Sequence, residues 1–335
     1  MFRIDTQKEE IMLISLFGAL ESGIIYAIMA LGVYLTFRVL DFPDLTVDGS
    51  FVTGAAVASI SITGGIPPIL ATIFAAFAGF LAGCVTGILH TKGKINALLS
   101  GIIMMIALYS INLRIMGQPT LSLLRESTIF KQLESIWTAT GIDSFLNGLL
   151  TMLGMEQLPG TWSIVILMIV VTFVIKLLTD YYLKTDIGLA LRATGDNKKM
   201  IRSLSANTDF LIIVGVGISN ALVALSGALI AQHGGFADVG MGIGMIIIGL
   251  ASVIIGEALF GTKTIARTTF AVIGGAIVYR IVVTLALRVE FLETGDMKLI
   301  TALLVVAALV TPKILHARKE KKRRLQKRAQ LKMEV

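Results

Sequence analysis

Three polar side chains lie inside long apolar stretches of the sequence, where they could act on a solute or on each other. Glu21 lies about ten residues into its stretch, roughly 15 Å deep if the stretch is helical. Arg280 lies similarly deep in another stretch, and Asn220 is near the middle of a third. A charge at the centre of a bilayer is costly and usually faces a cavity or a partner. Glu21 therefore either lines a solute path, or forms a structural hydrogen bond or is a protonated, buried acid. Arg280 either faces such a path or reaches toward the acidic turn 290–296.

The polar segment 184–208 has the pattern of a short amphipathic helix. Asp196 can accept hydrogen bonds from the backbone N–H groups that follow it, and so cap a helix over residues 197–205. The apolar residues of that helix fall on one face: Met200, Ile201 and Leu204. The basic residues lie elsewhere: Lys198, Lys199 and Arg202. Such a helix either rests on a lipid surface or docks in a groove of another protein, and its pattern does not separate the two.

Motifs that would carry enzymatic chemistry are absent. The stretch from Gly87 to Lys94 is one residue too long for a phosphate-binding P-loop and lacks its Ser or Thr. The histidines are scattered, without the paired spacing that zinc requires, and there is no nucleophile-elbow Ser motif. We therefore predict no catalytic, cofactor-binding or metal-binding residues in this chain.

The composition indicates what must position the polar residues. Of 335 residues, 55% are hydrophobic and only 15% are charged, whereas soluble domains carry about a quarter charged residues. A helix needs about 20 mostly apolar residues to cross a bilayer. The segments that qualify or nearly do are Ile11–Phe37, Leu45–Ile62, Pro67–His90, Ile95–Ile115, Trp162–Leu183, Phe210–Gln232, Met241–Phe260, Ile265–Leu287 and Lys298–Ile314. We predict an all-α, polytopic integral membrane protein of about nine transmembrane helices.

The net charge of +7 is concentrated at the C-terminal end. From Lys313 onward there are ten Lys or Arg and two Glu, a charge of +8, which leaves −1 for the rest of the chain. A nucleic-acid interface would instead spread basic residues over a face, so we exclude that class. Loops rich in Lys and Arg stay in the cytoplasm, so we expect a cytoplasmic tail in contact with anionic membrane lipids.

Strict alternation of spans from that tail gives the remaining topology. The loop 184–208 falls inside, the segment 118–161 falls outside, and nine spans place the N-terminus outside. The uncertain element is Leu45–Ile62, because the loop before it is acidic rather than basic. If it is a re-entrant half-helix, there are eight full spans and both termini are cytoplasmic. The chain then divides into a short N-terminal segment 1–10, a transmembrane domain 11–314 and a basic tail 315–335.

Glycines recur at every fourth position in one predicted span, at Gly79, Gly83 and Gly87. Such a row of small residues lets two helix backbones approach closely within a membrane. We therefore predict that this span packs tightly against another one.

Two stretches give the sequence a family resemblance. Residues 188–229, GLALRATGDNKKMIRSLSANTDFLIIVGVGISNALVALSGAL, resemble the cytoplasmic coupling loop and following span of permease subunits from ABC importers of the branched-chain amino acid and ribose type. Residues 41–59, DFPDLTVDGSFVTGAAVAS, are similar to the D-L-[ST]-V-G-S element that opens an early span in that family, with Asp48 inserted. The resemblance covers nearly the whole chain before the tail. It looks like the subgroup of permeases that accompany lipoprotein-type binding proteins.

This resemblance implies a complex in the bacterial plasma membrane. Two permease subunits, expected to be a homodimer, would surround a central path, with two cytoplasmic ABC ATPases and an extracellular substrate-binding lipoprotein. The expected ATPase contacts are Arg192, Asp196, Lys198, Met200, Ile201 and Leu204. Irregular polar backbone at membrane depth is tolerated where it lines a cavity. The expected path residues are Glu21, Asp44, Thr46, Asp48, Ser50 and Asn220.

The resemblance also implies a solute class. Members of the subgroup are associated with amino acids, including aromatic ones, so import of an amino acid is the leading hypothesis, and a sugar or nucleoside stays open. The chain itself would hydrolyse no ATP, which agrees with the missing P-loop. The alternative is a self-sufficient secondary transporter or channel, for which Glu21 would be the main ion-coupling candidate. A membrane scaffold without transport is a third hypothesis.

Overall fold

The computed structural model describes residues 2–152 and 158–287, with isolated positions between 299 and 310. Its helices are α1 Phe2–Tyr34, α2 Thr46–Thr63, α3 Pro68–Thr91, α4 Ala97–Met116, α5 Ile129–Trp137, α6 Ile142–Met152, α7 Ser163–Lys184, α8 Asp186–Ser203, α9 Thr208–Gly234, α10 Met245–Phe260 and α11 Ile265–Ala286. A π-helical turn, Leu35–Val39, extends α1, and a 3₁₀ turn, Thr138–Thr140, follows α5. Two short strands, β1 (Thr120–Ser122) and β2 (Phe236–Asp238), pair antiparallel.

The all-helical membrane architecture agrees with the prediction. Within the described residues, six helices are long and apolar enough to span a membrane, and they include parts of α1, α3, α4, α7, α9 and α11. Helices α2 and α10 have 18 and 16 residues. The count of nine is not established, because most of the last predicted segment, Lys298–Ile314, and the whole tail 315–335 lie outside the described residues. Helix α1 also takes in residues 2–10, which the sequence sets apart as a separate segment.

The glycine row of α3 packs against α9, which confirms the predicted close approach. A Cβ added at Gly83 would lie 2.8 Å from the Cβ of Asn220, and one added at Gly87 would lie 2.7 Å from the Cα of Ile213. Both distances are shorter than atoms tolerate without a shift. The two backbones therefore pack at a distance that only glycine permits.

The two ends of the bundle differ in their residues. One end, here called the basic end, carries α8 and the loops at 92–94 and 262–264, all with Lys or Arg nearby. The other, the ribbon end, carries the β1–β2 pair and α5, whose Phe130 ring lies 5.6 Å from the ring of His233 at the end of α9. The segments predicted to lie inside and outside are thus sorted to opposite ends.

The connection between α1 and α2 turns inside the bundle. Arg38, near the end of the π-helical turn, forms an ion pair with Glu257 at the basic end. Asp44, five residues after Val39, is fully buried and accepts a hydrogen bond from Asn220 in the middle of α9. Helix α2 thus starts inside the bundle, as the re-entrant alternative expects, but it continues for 18 residues, about 27 Å, to the ribbon end. The chain therefore returns toward the end from which α1 came.

Candidate functional site

Four of the predicted path residues meet at two places near the start of α2, and the first is a buried polar cluster. The Asp44 carboxylate accepts from the Asn220 amide at 2.7 Å and from the Thr46 backbone N–H at 2.9 Å. The Thr46 hydroxyl lies 2.8 Å from that of Thr86, a residue of α3 that the sequence analysis does not identify. All four residues are fully buried. The cluster ties α2 to α3 and α9.

The second place is the meeting of two helix N-termini at Asp48. Its two carboxylate oxygens accept from the backbone N–H groups of Gly244 at 2.9 Å and Ile246 at 2.8 Å, at the start of α10. Gly242 allows this approach, because a Cβ there would lie 2.6 Å from Val52 on α2. Asp48 therefore caps α10 from a distant part of the chain, and its negative charge suits the positive end of the helix dipole.

Beside Asp48 lies a cavity of about 510 Å³. Its wall is mostly apolar and is formed by α2, α4 and the segment before α10: Asp48, Gly49, Val52, Met105, Ile106, Tyr109, Ser110, Asn112, Val239, Gly242 and Ile243. Of the predicted path residues only Asp48 lines it. Ser50 is fully buried, and its hydroxyl has no hydrogen-bond partner among the described residues.

Glu21 lies apart from these two places. Its carboxylate is 4.0 Å from the imidazole of His233, toward the ribbon end. Arg280 donates to the Ser22 hydroxyl at 2.9 Å and stacks over the ring of Tyr26 at 5.1 Å. The acidic turn 290–296, its other predicted partner, falls outside the described residues.

The predicted coupling segment forms α8, with a break at Asn197, whose φ and ψ are −151° and 85°. The cap of the second half is one residue later than predicted: the Asn197 side chain, not that of Asp196, accepts from the Met200 N–H at 3.1 Å. The first half packs closely on the end of α1, since a Cβ at Gly195 would lie 3.0 Å from the Cα of Leu40. Helix α8 therefore contacts the same turn, residues 40–45, that leads into the buried cluster.

The side chains of the second half of α8 have distinct environments. Leu204 is 69% exposed and Met200 is 49% exposed, whereas Ile201 is only 6% exposed. Arg202 pairs with Asp209 at 2.7 Å and donates to the Thr208 hydroxyl, which fixes the helix to the start of α9. Burial and the charge of Arg202 lower the pKa of Lys198, an effect that Asp209 opposes. Ile201 thus anchors α8, and Met200 and Leu204 form an apolar knob that no described residue covers.

A larger cavity of about 1120 Å³ opens at the basic end beneath α8. Arg192 and Asp196, two of the predicted coupling residues, line it. The ion pair of Arg38 and Glu257 and the side chain of Lys263 lie in the same wall. These two coupling residues therefore face a polar space rather than the apolar knob.

One buried ion pair was not predicted. Lys176 donates to Asp180 at 2.5 Å, and the other oxygen of Asp180 accepts from Thr269 at 2.6 Å. The pair joins α7 to α11. The i,i+4 spacing of Lys176 and Asp180 is the signal that could have identified it.

Comparison with known proteins gives a consistent result. The sequence profile described as "Branched-chain amino acid transport system / permease component" matches residues 15–309. A "Tyrosine transport system permease protein" of Clostridioides difficile (strain R20291) is 40% identical over 294 residues, 88% of this chain and 90% of that protein. "Uncharacterized protein RP368" of Rickettsia prowazekii (strain Madrid E) is 35% identical over 210 residues, 63% of this chain and 65% of that protein. No solved structure matches.

Proposed function

The chain belongs to the family of permease components of branched-chain amino acid transport systems, and we propose that it is the membrane subunit of an ATP-driven importer of an amino acid. In this proposal the chain forms the solute path, and a separate ABC ATPase supplies the energy. Family membership and the match to a tyrosine permease over most of both chains support the amino acid as solute. An aromatic amino acid such as tyrosine is the first solute to test.

The observation that carries the coupling to an ATPase is the apolar knob of α8. Met200 and Leu204 are exposed at the basic end, while Ile201 and the Arg202–Asp209 pair hold the helix firmly on the bundle. An exposed apolar pair on a fixed helix suits a groove in a partner protein. A displacement of α8 would be transmitted to the turn at Leu40, because Gly195 of α8 packs against that turn. Each state of the ATPase can shift the permease only by its differential affinity for the two conformations.

The partners in this proposal follow from the family. A second copy of the chain completes the path, a pair of ATPases binds at the basic end, and an extracellular lipoprotein delivers the solute at the ribbon end. The cavity beside Asp48 opens toward exposed residues of α4 such as Tyr109, which is 52% exposed. Through that opening a second subunit or a delivered solute could contact the cavity beside Asp48.

The proposed orientation places the basic end in the cytoplasm of a bacterium. The Lys and Arg residues at that end support this assignment. Helix α1 runs from the ribbon end to the basic end, which supports an N-terminus outside the cell. The basic tail, by its charge, would lie inside and touch anionic lipid.

The orientation predicts a labelling pattern. In a Cys84→Ser background, a single cysteine in Leu124→Cys, a position 72% exposed at the ribbon end, should react with a membrane-impermeant maleimide on intact cells. A single cysteine in Leu204→Cys should react only after the membrane is permeabilised. Labelling of position 204 on intact cells would reverse the assignment.

The function itself is tested by ATP hydrolysis. The chain, its cognate ATPase and its binding lipoprotein, reconstituted together in nanodiscs, should hydrolyse ATP several-fold faster with tyrosine-loaded lipoprotein than with empty lipoprotein. Omitting the permease should remove the stimulation. If lipoprotein loaded with a sugar or nucleoside stimulates ATP hydrolysis instead, the chain is still an importer subunit, but its solute is not an amino acid.

A further inference from the structure

Helix α10 is held at both of its ends by charged side chains from one short stretch of chain, the connection between α1 and α2. At the start of α10, the Asp48 carboxylate accepts hydrogen bonds from two backbone N–H groups. Near its end, Arg38 donates from Nε to the Oε1 of Glu257 at 3.0 Å and from Nη2 to the Oε2. The helix has 16 residues, a length of about 24 Å. The connection therefore fixes α10 at two points far apart along its axis.

The contact of Arg38 with Glu257 is the more exchangeable of the two. Arg38 is 54% exposed, and Glu257, in the last turn of α10, is 15% exposed. A carboxylate in the last turn of a helix is disfavoured by the helix dipole, so Glu257 needs a cation beside it. The wall of the larger cavity at the basic end carries four further charged side chains: Asp41, Asp196, Arg192 and Lys263. Within the described part of the chain, none of these four forms an ion pair, so both Arg38 and Glu257 have other partners at hand.

Helix α8 contacts the backbone that carries Arg38. A Cβ added at Gly195 of α8 would lie 2.1 Å from the carbonyl oxygen of Val39, the residue next to Arg38. Leu191 of α8 and Leu40 also pack together against Gly215 of α9. Because the backbones already touch, α8 cannot move further into the bundle without displacing Val39. A shift of α8 therefore moves Arg38.

Helix α10 moves together with α11 and forms part of the wall of the smaller cavity. A Cβ added at Gly256 would lie 2.1 Å from the carbonyl oxygen of Ala271, and one added at Gly275 would lie 2.0 Å from that of Ser252. Backbones packed this closely leave little room for the two helices to slide past each other. The segment just before α10 lines the cavity beside Asp48. A movement of α10 therefore changes that cavity.

We propose that the Arg38–Glu257 ion pair is the link that transmits movement of α8 to α10. The pair is formed in one conformation of the permease and broken in the other, and its breaking releases the end of α10 and changes the opening of the cavity beside Asp48. The ATPase biases the pair by its differential affinity for the two positions of α8. The proposal deepens the proposed function on which it rests, because it names the residues through which the ATPase acts on the solute path. Both are positioning residues rather than solute ligands.

Labelling of a cysteine beyond the far end of α10 tests the link. The complex of chain, ATPase and lipoprotein in nanodiscs carries Ile243→Cys in a Cys84→Ser background, because Ile243 is 60% exposed and lines the cavity beside Asp48. A non-hydrolysable ATP analogue should change the rate of maleimide labelling of the permease at least about fivefold, and less than about twofold once Arg38→Ala is added. No change when Arg38 is present, or a full change in Arg38→Ala, would overturn the proposal.

Activity and stability together separate a link from a merely structural contact. Arg38→Ala and Glu257→Gln should each reduce solute-stimulated ATP hydrolysis at least about fivefold, and the reversed pair, Arg38→Glu with Glu257→Arg, should restore most of it. A partly exposed ion pair contributes little to stability, so the denaturation midpoint and the affinity for the ATPase should stay at the wild-type values. Glu257→Gln decides the question if Arg38→Ala does not fold. No recovery in the reversed pair, or a fall in the midpoint that parallels the lost stimulation, would contradict the link.

Lys263→Ala is the matched control. It removes a basic side chain from the wall of the same cavity, one that forms no ion pair with any described residue. Its stimulation by solute and its labelling change should stay close to those of the chain with Lys263. A loss in Lys263→Ala equal to that in Arg38→Ala would assign the effect to the net charge of the cavity and contradict the link.

The proposed function can fail separately. If solute-loaded lipoprotein stimulates ATP hydrolysis and Arg38→Ala keeps that stimulation, only the link is wrong. If labelling at position 243 depends on both the nucleotide and Arg38, but no solute stimulates ATP hydrolysis in the full complex, the importer assignment is wrong and the link stands.

Discussion

Replacing Leu204 by Asp should reduce solute-stimulated ATP hydrolysis of the reconstituted complex to less than about a tenth of the wild-type value. Leu204, the C-cap residue of α8, is 69% exposed. Burying a leucine side chain contributes roughly 1.5–3 kcal/mol, and each 1.4 kcal/mol is about a tenfold change in affinity. A carboxylate in the same groove adds a desolvation cost. The expected result is loss of ATPase binding and of stimulation together.

The matched control is Ser205→Asp. It places the same charge one residue away, at an exposed position whose φ of 66° an aspartate tolerates, and it leaves Met200 and Leu204 in place. Its activity should stay within about twofold of wild type. If Leu204→Asp also leaves ATPase binding and stimulation unchanged, α8 rests on lipid, the alternative that its amphipathic pattern leaves open.

Replacing Asp44 by Ala should lower the free energy of unfolding by roughly 2–4 kcal/mol. The change removes the acceptor for the Asn220 amide and for the Thr46 N–H, both fully buried. A buried donor left without its partner costs about 1–3 kcal/mol, and Asn220 keeps one bond, to the Val216 carbonyl at 2.9 Å. The measurement is the denaturation midpoint of the detergent-solubilised chain. Asp44→Asn retains an acceptor oxygen and should cost less.

Ser59→Ala serves as the control for that measurement. Ser59 is fully buried on α2, and its hydroxyl has no partner among the described residues. Its removal should therefore leave the midpoint nearly unchanged. A loss for Asp44→Ala no larger than that for Ser59→Ala would contradict a structural role of the cluster around Asp44.

The boundaries of the membrane helices could be predicted well where proline or glycine marks them. The predicted span Pro67–His90 corresponds to α3, Pro68–Thr91, and Trp162–Leu183 corresponds to α7, Ser163–Lys184. A long apolar segment in lipid is expected to be helical, because each backbone polar group must be paired within the chain. The family resemblance at residues 188–229 and 41–59 is confirmed by the profile match.

The arrangement of the polar residues could be predicted only in part. Asp44 and Asn220 were both singled out, but their contact joins residues 176 apart in the chain, and no local pattern encodes it. The same holds for Asp48 and the start of α10, which meet because Gly242 lacks a side chain. Asn112 was missed because an amide near the end of an apolar helix is unremarkable in sequence. Only the structure shows that its Oδ1 has no hydrogen-bond partner in the described part of the chain.

The cap of α8 shows a smaller limit. Asp196 and Asn197 are both good capping residues, and the sequence alone favours neither strongly. In the structure Gly195 packs closely on Leu40, and the helix breaks two residues later, at Asn197. That contact joins residues 155 apart in the chain, so no local pattern predicts it.

The central claim, an importer driven by a separate ATPase, is tested most directly by uptake of radiolabelled L-tyrosine into proteoliposomes. With lipoprotein outside and ATP inside, vesicles that contain the chain and its ATPase should accumulate tyrosine, and vesicles with the chain alone should not, even with a proton or sodium gradient. Accumulation by the chain alone, driven by an ion gradient and indifferent to ATP, would contradict the account and make the chain a secondary transporter.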